Sequence, residues 1–330
     1  MFRGKRRGLS SRQVWWTRPF SVVALVVVAA WSFVIVGSSP AMAKGGAHGA
    51  ATPKAFTHPA GTPRATSVCQ PAVSNCPVAS QLWSGYLVSS FSATYTNVSA
   101  SWIQTKTTCP MSKDTNNAWS LFWVGLDGRA TRTVEQGGSE AQCMKGKVHY
   151  YAWWEMYPTN SIQSTFPVHP GDHITSSVMY TAGTDTYTVT VNDTTPAHTH
   201  SLVVVATTDA APVNPDTYTV TQDGVTTGPT SFSQPLCVQS TPCQNSSAEW
   251  IVEAPGDNGN AQTLYPLAHF RPVVFQDASA TDAVGNIGSI SDPVWQYTAL
   301  NLVNTSSQVV ASVSGLKDGG QRFRDTWVRL

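Results

Sequence analysis

The sequence predicts an all-β protein, a two-sheet antiparallel β-sandwich of the jelly-roll or concanavalin-like kind. Three observations predict it. Charged residues make up only 12% of the chain, against about 25% in typical domains, and strand-favouring Thr, Val and aromatic residues replace them. Short runs alternate between apolar and polar residues, and Gly, Pro, Asn and Asp turns separate these runs. No helical 3.6-residue periodicity follows the N-terminal segment.

Residues 1–43 are predicted to be a signal peptide. They contain six basic and no acidic residues, and an uncharged run of 18 residues spans 20–37. Ala41 and Ala43 form an A-x-A cleavage signal, so we expect cleavage after Ala43 and secretion. The alternative is a retained membrane anchor, because the run is close to the minimum length that spans a bilayer.

Residues 44–78 are rich in Ala, Gly, Pro, Thr and Ser and lack periodicity, which predicts a disordered linker or a short propeptide. A single β-sandwich domain is expected over residues 79–330. Beyond residue 43 the chain carries 14 basic and 19 acidic residues without a basic cluster, so it is not expected to bind nucleic acid. We expect a monomer.

Individual strands follow from the period-two pattern. Thr186–Val191 places Thr on one face and Tyr or Val on the other, and residues 181–185 supply a hairpin loop after the run 173–180. Further strands are predicted at 83–90, 93–103, 119–126, 147–157, 201–206, 248–253, 272–276 and 321–328.

Six cysteines in an exported chain predict disulfides, and short loops favour the pairs Cys69–Cys76 and Cys237–Cys243, which leaves Cys109–Cys143. No C-x-x-C pair is present, and the histidines are expected to be polar loop or strand residues, so neither a metal site nor a cofactor is predicted. The histidines considered were His169, His173, His198 and His200.

Three segments carry more information than a generic β-protein needs: residues 119–138, 150–158 and 248–253. On the second, alternation places Trp153 and Glu155 on one face, a carboxylate beside flat aromatics, as in a binding groove. Taken singly, each segment is better explained by a Trp-rich core strand or a solvated Glu than by a functional site. Their combination and order carry the functional prediction.

In this order the segments resemble the glutamic peptidases, or eqolisins. The resemblance rests on WSGY (83–86), WVGLDG (123–128), VEQGG (134–138), YAWWEMYP (151–158), PGD (170–172), AEWIVE (248–253) and LYPLAHF (264–270). It implies an acid endopeptidase that acts on polypeptides, with Gln136 and Glu253 as the catalytic pair. It also implies that Trp83, Asp127, Trp153 and Glu155 line the substrate groove. Leu82, Glu135 and Met156 depart from the family pattern and leave substrate preference and pH optimum open.

The chemistry of the pair agrees with this reading. One Glu can act as general base and then as general acid near its ordinary pKa of about 4.3. A Gln amide can donate to the oxyanion at any pH. Two alternatives remain: a jelly-roll glycoside hydrolase that uses Glu155 and Glu253 as paired carboxylates, or a non-catalytic carbohydrate-binding sandwich.

Overall fold

The computed structural model describes residues 76–90, 93–110, 117–208, 216–237, 243–257 and 260–328. The predicted signal peptide, its cleavage site after Ala43, most of the predicted linker and Cys69 lie outside these residues. Within the described part of the chain, no helix has the length and apolar character needed to cross a membrane.

The described residues form strands and one 3-10 turn at Asp318–Gly320. The strands are β1 (Val78–Ser80), β2 (Trp83–Ser89), β3 (Tyr95–Ile103), β4 (Thr107–Thr108), β5 (Trp119–Asp127), β6 (Val134–Met144), β7 (Lys147–Tyr157), β8 (Ile162–Pro167), β9 (His173–Thr181), β10 (Thr186–Asp193), β11 (His200–Thr207), β12 (Thr217–Gln222), β13 (Val225–Ser231), β14 (Ser247–Glu253), β15 (Gly256–Asp257), β16 (Asn260–Leu264), β17 (His269–Phe270), β18 (Val273–Asp282), β19 (Ile287–Gly288), β20 (Gln296–Val303), β21 (Val309–Val313) and β22 (Phe323–Trp327).

Hydrogen bonding orders the long strands into two layers. The first layer runs β8-β7-β6-β5-β14-β2-β20, and β1 pairs in parallel with β20. The second runs β18-β3-β9-β10-β11-β12-β13, with antiparallel pairs throughout. Strands β21 and β22 connect β20 to β18, so the layers are continuous at one side. The predicted antiparallel sandwich is confirmed.

The core lies between the layers, where β6 packs on β9 and β10 while β5 packs on β3 and β9. Alternation decides which side chains enter it. On β10, Tyr187, Val189 and Val191 are buried in the core and the intervening threonines are half-buried. On β7, Ala152 and Trp154 belong to the same core, as the face assignment from the sequence requires.

All predicted strands are present, with ends shifted by at most six residues. The longest strand that the pattern missed is β6, which carries Gln136. Its sequence VEQGGSEAQCM has two glycines and no apolar alternation, yet all but its last residue are buried. Polar residues on β6 are buried because both faces of this strand are covered. Its sequence therefore lacks the alternation of apolar and polar residues that marks a strand with one exposed face.

Two of the three predicted disulfides are present. Cys109 is bonded to Cys143 on β6, and Cys237 is bonded to Cys243 in the segment that leads into β14. The first therefore ties the start of the 109–118 connection to the strand that carries Gln136. The second closes a short loop directly before the strand that carries Glu253.

Candidate active site

Gln136 lies on an inner strand of the first layer, with β5 on one side and β7 on the other. It pairs in register with Gly125 of β5 and with Glu155 of β7. Directly paired residues point to the same face of a sheet. The side chains of Gln136 and Glu155 therefore share one face.

Glu253 ends β14, which lies between β2 and β5. It pairs with Trp83 of β2 and with Leu121 of β5. Leu121 and Gly125 are four residues apart on β5 and so point to the same face. The structure therefore brings Glu253, Trp83 and Gln136 to one face of five adjacent strands.

Trp123 occupies the middle of this face and contacts Glu253 directly. Its indole Nε1 donates a hydrogen bond of 2.8 Å to Glu253 Oε2. The Trp83 ring packs edge-on against it, with ring centroids 5.3 Å apart. Gly138 of β6 pairs with Trp123 on one neighbouring strand and with Trp153 on the other, so it lies between two tryptophans. A Cβ at Gly138 would lie 2.9 Å from Trp123 Cβ. The missing side chain lets the β6 backbone approach the Phe122 carbonyl and the Trp123 backbone of β5 closely.

A buried hydrogen bond orients the Gln136 amide. Its Nε2 donates to Glu155 Oε2 over 2.7 Å, and both side chains are fully buried. An ionised carboxylate can only accept hydrogen bonds, so it selects the NH₂ end of the amide. The NH₂ group has two hydrogens, and one of them remains available for a second acceptor. Glu155 is thus a positioning group for Gln136.

Asp127 has a different environment from the other predicted groove residues. Its carboxylate accepts backbone N–H groups of Gln244, Asn245 and Ser246 at 2.7–2.8 Å, and the Ser246 hydroxyl at 3.1 Å. It is fully buried at the end of β5 with a φ of 67°. These bonds hold the segment between Cys243 and β14 in place, so the described contacts of Asp127 are structural.

An apolar cleft of about 490 Å³ begins beside the end of β14. Ala254, directly after Glu253, lines it together with Tyr265, Leu302 and Trp327. The Tyr265 ring also packs against Trp119, with centroids 6.0 Å apart. The cleft therefore continues the aromatic surface past the end of β14, and part of it comes from the LYPLAHF segment.

Sequence reasoning did not single out Trp123, Gly138 or the cleft. Trp123 was inside a quoted motif, and alternation on β5 would have placed it on the same face as Leu121. Its bond to Glu253 depends on the pairing of β5 with β14, which joins residues about 130 positions apart. No local sequence pattern shows which residues of β5 and β14 pair with each other.

Three buried carboxyl groups lie on or near this face. Glu249 lies on it, because it pairs with Gly125 of β5, the residue that also pairs with Gln136. Burial raises the pKa of Glu135 well above its ordinary value, and Asp127 and Glu249 add repulsion. Burial likewise raises the pKa of Glu249 well above its ordinary value, with Asp127 contributing repulsion. The pKa of Asp127 is also raised by burial, against the opposing effect of its backbone hydrogen bonds. Each group therefore keeps its proton to a higher pH in the folded state than in the unfolded state.

These shifts predict a fold that is most stable in acid. A folded-state pKa above the unfolded value of about 4 means that the folded chain binds more protons. The stabilisation is complete below pH 4 and decreases as pH rises toward the folded pKa. Glu249→Gln, which cannot ionise, should therefore reduce the loss of stability between pH 4 and pH 7.

Urea unfolding at several pH values measures this effect. The matched control is Asp318→Asn, a surface carboxylate with 62% side-chain exposure, which should leave the slope of unfolding free energy against pH unchanged. An identical slope in wild type and Glu249→Gln would contradict the prediction.

The chain is similar to known peptidases over most of its described length. Residues 81–212 and 203–319 match the model of the peptidase A4 family. The crystal structure of scytalido-glutamic peptidase with a transition state analog inhibitor superposes with a TM-score of 0.53 at 23% identity, covering 75% of this chain and 98% of that chain. No curated protein has significant sequence similarity to the chain.

Two further solved structures are similar to the chain at lower TM-scores. SCP-B, a member of the eqolisin family in complex with the tripeptide Ala-Ile-His, has 21% identity and a TM-score of 0.49, covering 75% of this chain and 98% of that chain. Aspergilloglutamic peptidase from Aspergillus niger has 25% identity and a TM-score of 0.44, covering 64% of this chain and 99% of that chain.

The structural match to scytalido-glutamic peptidase agrees with the sandwich fold. The family match, which spans more than two thirds of the sequence, decides between the peptidase and its two carbohydrate-directed alternatives. The chain belongs to the peptidase A4 family, the glutamic peptidases or eqolisins, and is an acid endopeptidase of the glutamic type.

Proposed function

We propose that this chain is a secreted, monomeric endopeptidase that cleaves polypeptides in acid with Glu253 and Gln136 as its catalytic pair. The observation that carries the proposal is that both side chains lie on one face of the first layer. Each also has a buried partner that fixes its orientation, namely Trp123 for Glu253 and Glu155 for Gln136.

In the first step, Glu253 acts as general base. Trp123 Nε1 holds the Oε2 atom of Glu253, so we assign the proton transfer to Oε1. The carboxylate takes a proton from a water molecule, and the resulting hydroxide oxygen bonds to the peptide carbonyl carbon. The carbonyl π electrons move onto oxygen and form a tetrahedral oxyanion.

Gln136 stabilises that oxyanion. One N–H of its amide is bonded to Glu155 and the other donates to the developing negative charge. In the second step the Glu253 carboxyl returns its proton to the amide nitrogen, the C–N bond breaks, and the carboxylate is regenerated. The full burial of both side chains strengthens these interactions, because solvent screening is weak there.

Substrate binding is assigned to the aromatic residues around the pair. Trp83 and Trp153 lie on the same face as Glu253, and the apolar cleft adjoins Ala254. Flat indoles and an apolar cleft suit hydrophobic side chains of an extended peptide. Glu155 contributes through Gln136, and Asp127 contributes by holding the segment before β14.

Secretion is supported by two features. The sequence has a basic N-terminus, an apolar run and an A-x-A signal. The described domain has two disulfides, Cys109–Cys143 and Cys237–Cys243, which persist in oxidising compartments. N-terminal sequencing of the exported protein should begin at Lys44. A secreted product that still starts at Met1 would contradict cleavage after Ala43.

Class-specific inhibitors test the proposed mechanism. The pair contains no serine nucleophile, thiolate or aspartate dyad, so casein digestion at about pH 3 should be largely unchanged by fluorophosphonates, iodoacetamide and pepstatin. EDTA should also have little effect, because neither proposed step uses a metal. Strong inhibition by any one of these reagents would assign the reaction to another group.

A further inference from the structure

Four potential metal ligands meet at one end of the second layer, although the sequence predicted only polar loop residues there. They are His169, Asp172, Asp193 and His198. Asp193 is the last residue of β10 and pairs with Ile174 near the start of β9. The turn before β9 and the loop after β10 therefore lie side by side, which joins residues up to 29 positions apart in sequence.

Local hydrogen bonds build each half of this cluster. In the turn before β9, the His169 backbone N–H donates to Asp172 Oδ2 over 2.6 Å. After β10, the Thr195 N–H donates to Asp193 Oδ1 over 2.9 Å, and the His198 N–H donates to the Thr195 carbonyl over 3.0 Å. The second loop therefore turns back and places the His198 ring over both carboxylates.

The distances among the ligand atoms of His169, Asp172 and His198 fit one small cation, and Asp193 lies beside His198. His198 Nε2 is 2.9 Å from Asp172 Oδ1 and 3.5 Å from Asp193 Oδ2, and His169 Nδ1 is 3.4 Å from Asp172 Oδ2. The potential ligand atoms of His169, Asp172 and His198 all lie within 4.8 Å of one another. A tetrahedral Zn²⁺ ion with ligands at about 2.0–2.1 Å separates them by about 3.3–3.4 Å.

A second observation is the buried Oδ2 atom of Asp193. The Asp193 side chain has 0% exposure, and in the described part of the chain its Oδ2 accepts no hydrogen bond and faces the His198 imidazole at 3.5 Å. Buried carboxylates are normally paired or coordinate a metal. The two imidazoles remain accessible, with 58% exposure for His169 and 37% for His198, so an ion can enter from solvent.

We propose that His169 Nδ1, His198 Nε2 and the carboxylates of Asp172 and Asp193 form a binding site for a divalent transition metal of the Zn²⁺ class. Two imidazoles with two carboxylates are a suitable donor set for Zn²⁺ and its neighbours. The site lies on the second layer, whereas Gln136 and Glu253 lie on the first, so it serves the fold and not peptide hydrolysis. A bound ion would link the turn before β9 to the end of β10 and the loop that follows it.

The test is zinc binding to the full chain, free of affinity tags and stripped of metal with a chelator. Imidazole ligands must be neutral, so calorimetric titration with ZnCl₂ is done at pH 7. We expect one Zn²⁺ per chain and a higher Tm with zinc. His169→Gln and His198→Gln should each weaken zinc binding by at least about 10-fold, the lower end of the roughly 10–100-fold loss in affinity that follows when a metal site is disturbed. MgCl₂ should not bind, because Mg²⁺ prefers oxygen ligands.

The matched control is His200→Gln, a nearby histidine that contacts Asp223 instead, and it should bind zinc as wild type does. His169 is mostly exposed, so its variant reports on the site even if His198→Gln fails to fold. Absence of stoichiometric zinc binding would overturn the proposal and leave His198 as an ion-pair partner of the two carboxylates. Undiminished binding by His169→Gln would also overturn it.

Discussion

Glu253→Gln is expected to lower kcat/KM for acid proteolysis by at least about 100-fold, since general acid–base catalysis contributes about 10²–10⁴-fold. A Gln side chain at this position retains the size of Glu and an oxygen that can accept from Trp123 Nε1. It cannot take a proton from water or return one to the amine. The measurement is kcat/KM on one fluorogenic peptide between pH 2 and pH 6, with circular dichroism to confirm folding.

The companion variant is Glu155→Gln, which separates positioning from proton transfer. It removes the carboxylate that accepts from Gln136 Nε2 but leaves Glu253 unchanged. We expect measurable activity to remain, although misplacement of a catalytic group can cost about 100-fold. Equal and complete loss in both variants would contradict this division of labour. Release of reducing sugar from xylan or glucan by wild type, without peptide cleavage, would restore the glycosidase alternative.

Gln136→Ala is expected to lower kcat by about 10²–10³-fold, the effect of removing one oxyanion donor, equivalent to about 2.7–4 kcal/mol. KM should change little, because the donor acts mainly on the tetrahedral intermediate. The variant also leaves the buried Glu155 carboxylate without its amide partner. A stability measurement therefore accompanies the kinetics.

The matched control for Gln136→Ala is Glu135→Gln. Glu135 is the preceding residue on β6, is equally buried, and faces away from Gln136 because successive strand residues alternate between faces. Activity of Glu135→Gln should stay near that of wild type. If this control lost as much activity as Gln136→Ala, the effect would belong to β6 as a strand and not to the amide.

Sequence periodicity predicted the sandwich well where only one face of a strand is buried in the core. On β10, threonines alternate with Tyr187, Val189 and Val191, and the hydropathy pattern is directly visible. It failed on β6, which carries Gln136, because polar residues of this strand are buried on both faces. There the prediction relied on resemblance to a family.

The second feature that the sequence could not predict is the register between strands that are far apart in the chain. The bond from Trp123 to Glu253 and the cluster of His169 with His198 both depend on strand pairing that brings separate segments together. Asp127 shows the same limit in another form. Its motif suggested a groove residue, and only the fold reveals three backbone N–H groups directed at its carboxylate.

The two adjacent glycines of β6 determine the alignment of the catalytic amide. A Cβ at Gly137 would approach Val189 Cγ1 to 2.5 Å, and a Cβ at Gly138 would approach Trp123 Cβ to 2.9 Å. A slip of β6 by one residue in one direction would move Gln136 into the position of Gly137, against Val189. A slip in the other direction would move Ser139 into the position of Gly138, against Trp123. Either misaligned hairpin would also exchange the two faces of the strand and present Glu135 or Gly137 in place of Gln136. The glycine pair therefore penalises a one-residue slip in either direction and favours the register that presents the Gln136 amide.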